Sequence, residues 1–279
     1  MSSTADQTGV VKPAYARSFV SDSSSFEAIE FDVIDHVATL TLNRPEKLNS
    51  FNRQMAEEVA SAWRRVREDD DIHVAVLQAN GDRAFCTGID VAEGVWWYHL
   101  PIFNQEDPGV MLGPKSQLVW KPVIAALHGL VAGGGMYFVN ECDFAICSES
   151  ATFFDPHANG GIVSALEPMG MLARGVPYGE VMRWALLGSE ERITAQTALR
   201  IGLVTEVVPD DQLRARAAEL AGEIAARRPQ AIQGTVRAMW EARDLPPTTA
   251  QRHGLSYTHI GNQGASSDSR TNKRAPRLR

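Results

Sequence analysis

Residues 128–143 read "HGLVAGGGMYFVNECD". Three adjacent glycines run directly into a helix-like apolar segment whose first charged side chain, Glu141, arrives late. Glycine stands where another backbone or a ligand must approach closely, and a helix beginning there turns unpaired N–H groups and its positive dipole end outward. An anionic oxygen would bind well at such a place. The loop "AFCTGID", residues 84–90, offers a second one, because Thr87 and Gly88 follow a strand and present a free N–H toward the same crevice at the strand ends. Two convergent donors make an oxyanion hole, each worth roughly 2.7–4 kcal/mol of transition-state stabilisation. Rival readings of the glycines fail on spacing. No lysine follows as a phosphate-binding P-loop requires, and "GLVAGGG" does not fit the GxGxxG dinucleotide fingerprint.

Outward from the glycines, short strands alternate with helices, the pattern of an α/β fold with crossovers. "FEAIEFDVIDHVATLTLNRP", from Phe26, alternates apolar and polar residues around Asp35-His36, as a β-hairpin does. Met55, Val59, Ala62, Trp63 and Val66 then recur at helical spacing behind Asn52, an expected N-cap. "VAVLQAN", "VIAALHG", "FAICSES" and "ATFFDP" read as strands, and beyond Pro168 the chain turns mostly helical, broken by the strand "VTEVVP". The expected organisation is a leader over residues 1–25, a core over 26–200, a helical region over 201–262 and a basic tail over 263–279. The leader and the tail are expected to be disordered. Between them, the segment from Val91 to Trp120 is dense in aromatics. Trp96, Trp97 and Phe103 either line a hydrophobic acyl pocket or pack as a satellite core under a long loop.

A formal charge of −7 argues against a general nucleic-acid binder. Cys86, Cys142 and Cys147 form neither a CxxC pair nor a disulfide framework and lack the paired spacing of a zinc site, so we expect buried thiols, no metal and a reducing, cytoplasmic setting. No apolar run of membrane-spanning length is present in the sequence, and no membrane contact is expected.

The ordered set "LNRPEKLNSF", "AFCTGID", "KPVIAALHGLVAGGG", "ECDFAI", "SATFFDP" and "LLGSEERITAQTALRIGLVTEVVP" resembles the crotonase family, the enoyl-CoA hydratases and isomerases, over about residues 26–240. The resemblance implies a spiral of ββα repeats with a C-terminal helical trimerisation region, and homotrimers or hexamers. It also implies an acyl-CoA thioester whose carbonyl becomes an enolate held by the N–H groups of Thr87 and Gly134, with coenzyme A entering as part of the substrate and no separate cofactor. The CoA moiety is expected along Arg44, Lys47 and Leu48 and the loop ending at Asp90, with Lys47 on a phosphate.

Hydratases of the family carry one glutamate two residues after the last glycine and another after the proline of an FxxPE stretch. Those positions hold Tyr137 and His157 here. The expected reaction is therefore enolate chemistry by some group other than that pair of carboxylates. His157 is either a proton relay or a loop histidine bonded to backbone. Asp155 either orients its ring or forms a turn before Pro156. Tyr137 either donates its phenolic hydrogen to substrate or faces the core. Glu141, one helical turn further on, is either a displaced acid or a partner for a neighbouring subunit. Glu167 either acts with His157 or serves as a helix N-terminal acid. Two further functions stay open: hydrolytic carbon–carbon cleavage of a β-dicarbonyl by water activated at His157, and a catalytically silent ligand-binding protein.

Overall fold

The alternating segment folds back on itself. Its strands, β1 (Ile29–Ile34) and β2 (Val37–Leu42), pair antiparallel around Asp35 and His36. Both turn residues have positive φ, 49° and 67°, as a two-residue hairpin of this hand requires. The structure, a computed structural model, describes residues 26–96, 101, 103, 106–263 and 277. The expected leader, nearly all of the basic tail, and Trp97 lie outside the described residues.

Helix α1 (Arg53–Glu68) starts where the sequence puts its cap. The Asn52 side chain accepts the Met55 N–H at 2.9 Å, a contact worth about 1 kcal/mol. All five residues of the expected apolar face are buried. Three strand pairs follow, each with a helix after it: β3 (Val74–Ala79) and β4 (Ala84–Cys86) with α2 (Gly109–Leu112), then β5 (Val123–Leu127) and β6 (Leu130–Ala132) with α3 (Gly135–Asn140). The third is β7 (Phe144–Ser148) and β8 (Thr152–Phe154) with α4 (Leu166–Ala173). In each pair the first strand joins one sheet and the second joins another, so the chain winds as a ββα spiral.

The remaining elements are α5 (Tyr178–Leu187), β9 (Ile193–Thr194), α6 (Ala195–Arg200), β10 (Glu206–Val208), α7 (Leu213–Ala225), α8 (Pro229–Glu241) and α9 (Pro247–Gly261). The larger sheet runs β1-β2-β3-β5-β7-β10 and the smaller β4-β6-β8-β9. Alternation along the strands sends Ala75 and Leu77 toward α1 and the main core, and Val74 and Val76 to the opposite face. That second face is covered by α7, whose buried Leu213, Ala217, Ala221 and Ala225 recur every four residues and let the helix lie close on the sheet. The packed core thus runs through Ala225, past the boundary expected at residue 200. The reason is that β10 hydrogen-bonds in parallel to β7 and so belongs to the main sheet. Beyond it, α8 contributes no buried residue. Among the described residues no helix is long and apolar enough to cross a membrane.

Candidate active site

Each of the three glycines is pressed by a different part of the chain. A Cβ on Gly133, which sits at φ +47°, would lie 3.3 Å from Pro156 Cδ and 3.7 Å from His157 Cε1. On Gly134 it would come 2.9 Å from Phe51 Cε1, and on Gly135 2.5 Å from the Cys86 carbonyl oxygen. Only bare backbone lets the loop from β6 into α3 touch the start of α1, the end of β4 and the loop after β8 together. Opposite it, a Cβ on Gly88 would stand 3.0 Å from the Gly134 nitrogen, so the Thr87-Gly88 segment and Gly134 are neighbours. Neither Thr87 N nor Gly134 N donates to a protein group among the described residues.

His157 follows directly on β8 and Pro156. Asp155, with no exposed surface, accepts hydrogen bonds at Oδ1 from the His157 ring nitrogen Nδ1 and from the His157 backbone N–H, the latter at 3.2 Å. The ring's other nitrogen, Nε2, stands 3.9 Å from Glu167 Oε1. Glu167 lies in the first turn of α4 and is only 3% exposed. Its backbone carbonyl accepts from Asn140 Nδ2 at 3.0 Å, and Gly170 leaves that amide room. On the far side, the half-buried Tyr137 faces Glu167 and donates its phenolic hydrogen to Asp107 Oδ2 at 3.3 Å. Asp107 Oδ1 in turn accepts the Gly109 N–H at 2.8 Å.

Proton affinities across this row are displaced. Burial holds the Glu167 carboxyl above the usual carboxylate range. The hydrogen bond to Asp155 raises His157 above an ordinary imidazole, against the opposing effect of its burial. Burial pushes Asp155 upward too, but the His157 hydrogen bond and charge outweigh it and leave Asp155 below its usual value. Burial, with Glu167 and Asp107 nearby, raises the Tyr137 phenol, which therefore stays protonated. The arrangement offers an imidazole oriented by a carboxylate and a buried acid beside it, while the glycine loop that carries the Gly134 amide abuts the imidazole through Gly133.

Beside Tyr137 opens a cavity of about 490 Å³, with Val110, Leu166, Met169 and Trp240 as its main apolar lining. Glu141 also borders it, but stands apart from the row of acid–base groups. Its carboxylate accepts the Ser116 N–H at 2.7 Å and the Ser116 hydroxyl, and packs on Gly113.

The expected CoA-side residues divide. Asp90 is buried and paired with Arg44 at 3.1 Å, and it also accepts the Ala92 N–H. Arg44 reaches on to Glu93 at 2.7 Å, so Asp90 belongs to an internal ion-pair network of the kind a buried carboxylate needs. Lys47 is exposed at the end of a short 3₁₀ turn. Trp96 is half-buried, with its ring 6.5 Å from that of Phe51, the side chain that abuts Gly134. Phe103 is 97% exposed and is not among the described residues that line the cavity beside Tyr137. Asp107 and Asn140 were not expected from the sequence. "DPG" at residues 107–109 reads only as a turn, and nothing local links it to a tyrosine thirty positions on.

The sequence profile of the enoyl-CoA hydratase/isomerase family matches residues 33–270. An (E)-benzylidenesuccinyl-CoA hydratase from Thauera aromatica is 34% identical over 232 residues, covering 83% of this chain and 88% of the relative. A short-chain-enoyl-CoA hydratase from Clostridium acetobutylicum is 32% identical over 71% of this chain and 75% of its own length. Among solved structures, an enoyl-CoA hydratase/isomerase from Mycobacterium paratuberculosis superposes with a TM-score of 0.79 at 34% identity, covering 90% of this chain and 95% of that one.

Proposed function

The chain belongs to the enoyl-CoA hydratase/isomerase family and acts on acyl-CoA, and from that premise we propose that it adds water to, or removes it from, the α and β carbons of an acyl-CoA thioester, with His157 and Glu167 in the proton-transfer roles that the family resemblance gives to two glutamates. The observation that carries this reading is the 3.9 Å between His157 Nε2 and Glu167 Oε1, with Asp155 on the opposite ring nitrogen.

In the hydration direction, His157 Nε2 takes a proton from water as the water oxygen bonds to Cβ. The electrons of the carbon–carbon double bond shift toward the thioester, and negative charge collects on its carbonyl oxygen. The N–H groups of Thr87 and Gly134 hold that oxygen, at roughly 2.7–4 kcal/mol each. The enolate collapses as Cα takes the proton of the Glu167 carboxyl. His157 is then cationic and Glu167 anionic, and return of the proton from Nε2 to Oε1 restores both. The pair holds one proton at the start and end of the cycle and two while the enolate lasts, and its titration belongs to the pair rather than to either residue. These steps move protons and no redox electrons, and coenzyme A takes part only as a portion of the substrate.

The acyl group occupies the cavity beside Tyr137. At about 490 Å³ it is several times larger than the roughly 150 Å³ cavity that accommodates benzene, which suits a ring-bearing acyl group better than a short chain. A relative named for (E)-benzylidenesuccinyl-CoA agrees in kind. Exposed Met239, Leu255 and Ile260 on α8 and α9 suit a homotrimer built on that helical pair.

A second reading keeps the same residues. Water activated by the Asp155–His157 pair attacks the carbonyl of a β-dicarbonyl and a carbon–carbon bond breaks; the carboxylate-oriented imidazole is what favours it. Incubation with unsaturated acyl-CoAs, from crotonyl to aryl-substituted, followed by loss of conjugated-thioester absorbance and by product mass, tests the first reading. Gain of one water, lost in Glu167→Gln and His157→Ala, supports it. Cleavage of a diketone panel without water addition to any enoyl-CoA supports the second.

A further inference from the structure

Among the described residues one cationic side chain, Arg243, lines the cavity beside Tyr137. It stands on the short 3₁₀ turn that follows α8 (Ala242–Asp244), and its guanidinium carbon lies 4.2 Å from the centre of the Trp240 ring. An indole attracts a cation with its face but accepts no hydrogen bond from it. Arg243 donates none elsewhere and forms no ion pair among the described residues. Its five N–H donors thus meet no protein acceptor, in the wall that also holds the apolar Val110, Leu166 and Met169.

The acids of that wall are committed to other donors. Asp107 accepts from the Gly109 N–H and the Tyr137 hydroxyl, and both Glu141 oxygens accept from Ser116. Burial disfavours the Arg243 charge, and Asp244 and Glu141 offset this from beyond ion-pair distance.

We propose that Arg243 receives a second carboxylate carried by the acyl group, so that the preferred substrate class is the mono-CoA thioester of a dicarboxylic acid with an apolar middle. A carboxylate matches the guanidinium fork with two parallel N–H···O bonds, which an uncharged chain end cannot form. The charges of Asp107 and Glu141 repel an anion from other parts of the wall, so they help to decide which end of the acyl group reaches Arg243. This role rests on the reading that puts the acyl group in the cavity, and it gives Arg243 a part in selecting the substrate and none in moving protons.

Binding of saturated acyl-CoAs, which cannot be hydrated, tests the carboxylate seat without chemistry. Adipyl-CoA and hexanoyl-CoA share one chain length and differ in the far carboxylate; para-carboxyphenylpropanoyl-CoA and phenylpropanoyl-CoA repeat the comparison across a ring. Isothermal titration calorimetry on the full-length protein at low ionic strength gives a ratio of dissociation constants for each pair. In the unmodified protein at least one pair should favour the carboxylate-bearing member by about tenfold or more, the lower end for hydrogen bonds to a charged group. In Arg243→Met, which keeps an apolar stem, that preference should fall to about twofold or less. The ratio is taken within one protein, so any general weakening of CoA binding cancels, and circular dichroism checks the fold.

Equal affinity within both pairs overturns the proposal. So does a preference that survives Arg243→Met, which would seat the carboxylate elsewhere. Ala173→Trp, at another lining residue, narrows the cavity and should weaken hexanoyl-CoA more than acetyl-CoA. If it does not, the acyl group lies outside the cavity, and the Arg243 seat falls together with that reading. If it does while neither pair shows a carboxylate preference, only the Arg243 seat falls. Turnover of the matching α,β-unsaturated acyl-CoAs decides the reaction separately. An Arg243-dependent preference in a protein that hydrates none of them leaves the seat standing and the hydration refuted.

Discussion

Replacement of Asp155 by asparagine isolates one contact at nearly constant shape. The carboxylate is wholly buried and accepts from both the ring Nδ1 and the backbone N–H of His157. Both bonds end on the one Oδ1, so an asparagine that turns its amide N–H to Nδ1 gives up the backbone bond. That choice fixes the imidazole hydrogen on Nε2, pointing it at Glu167, and removes the lone pair that must accept a proton from water. General-base catalysis contributes about 10²–10⁴ in rate, so kcat should fall by that factor, about 3–5.5 kcal/mol of activation free energy. KM should change little, because neither Asp155 nor the hidden side of the ring faces the cavity. Stability should report the same contact. His157 is raised in the folded state, so its ion pair with Asp155 contributes fully below the unfolded histidine value of about 6.5 and is lost as pH rises through the raised value. The melting-temperature deficit of Asp155→Asn should accordingly be larger at pH 5 than at pH 9. Steady-state kinetics on an accepted acyl-CoA, with thermal unfolding at both pH values, make the test. A kcat within tenfold of the unmodified enzyme would refute the assignment of His157 as base.

Three other outcomes are expected. Gly134→Ala should lower kcat/KM by about 10²–10³, the loss of one oxyanion donor, because the new methyl must displace the Phe51 ring 2.9 Å away and with it the Gly134 amide; circular dichroism would check that the fold persists. Glu141→Gln should alter kcat by less than about threefold, since its oxygens are already occupied by Ser116 at the cavity wall. Arg44→Ala should destabilise the protein by about 3–5 kcal/mol in denaturant unfolding, because it strands the buried Asp90 carboxylate.

Much of this molecule could be read from short-range signals. The hairpin turn, the Asn52 cap and the buried face of α1 depend on residues within one or two turns of each other, and the glycine run announces a close approach without saying to what. The ordered motifs sufficed to reach the family and its ββα spiral. Pairings set by distance along the chain were not readable. The three-residue β10 finds its partner in β7 some sixty positions earlier, so a segment expected to open a helical region completes the main sheet. Asp107 acquires its tyrosine partner only when the turn before α2 meets α3. Asp90 and Glu141 illustrate the same limit: the first was read as a substrate contact and the second as a displaced acid or subunit partner, and nothing local announced that Arg44 pairs with Asp90 or that Ser116 donates to Glu141. Phe103 shows that a dense aromatic segment need not pack all its rings, since the apolar lining of the cavity comes largely from α2, α4 and α8.

A crystal structure of the protein with a non-reacting acyl-CoA bound is the most direct measurement. The thioester oxygen should lie about 2.7–3.1 Å from both the Thr87 and Gly134 nitrogens, with Cα turned to Glu167 and Cβ to His157. An oxygen bound elsewhere, or either amide found donating to the protein itself, would contradict the account at its base.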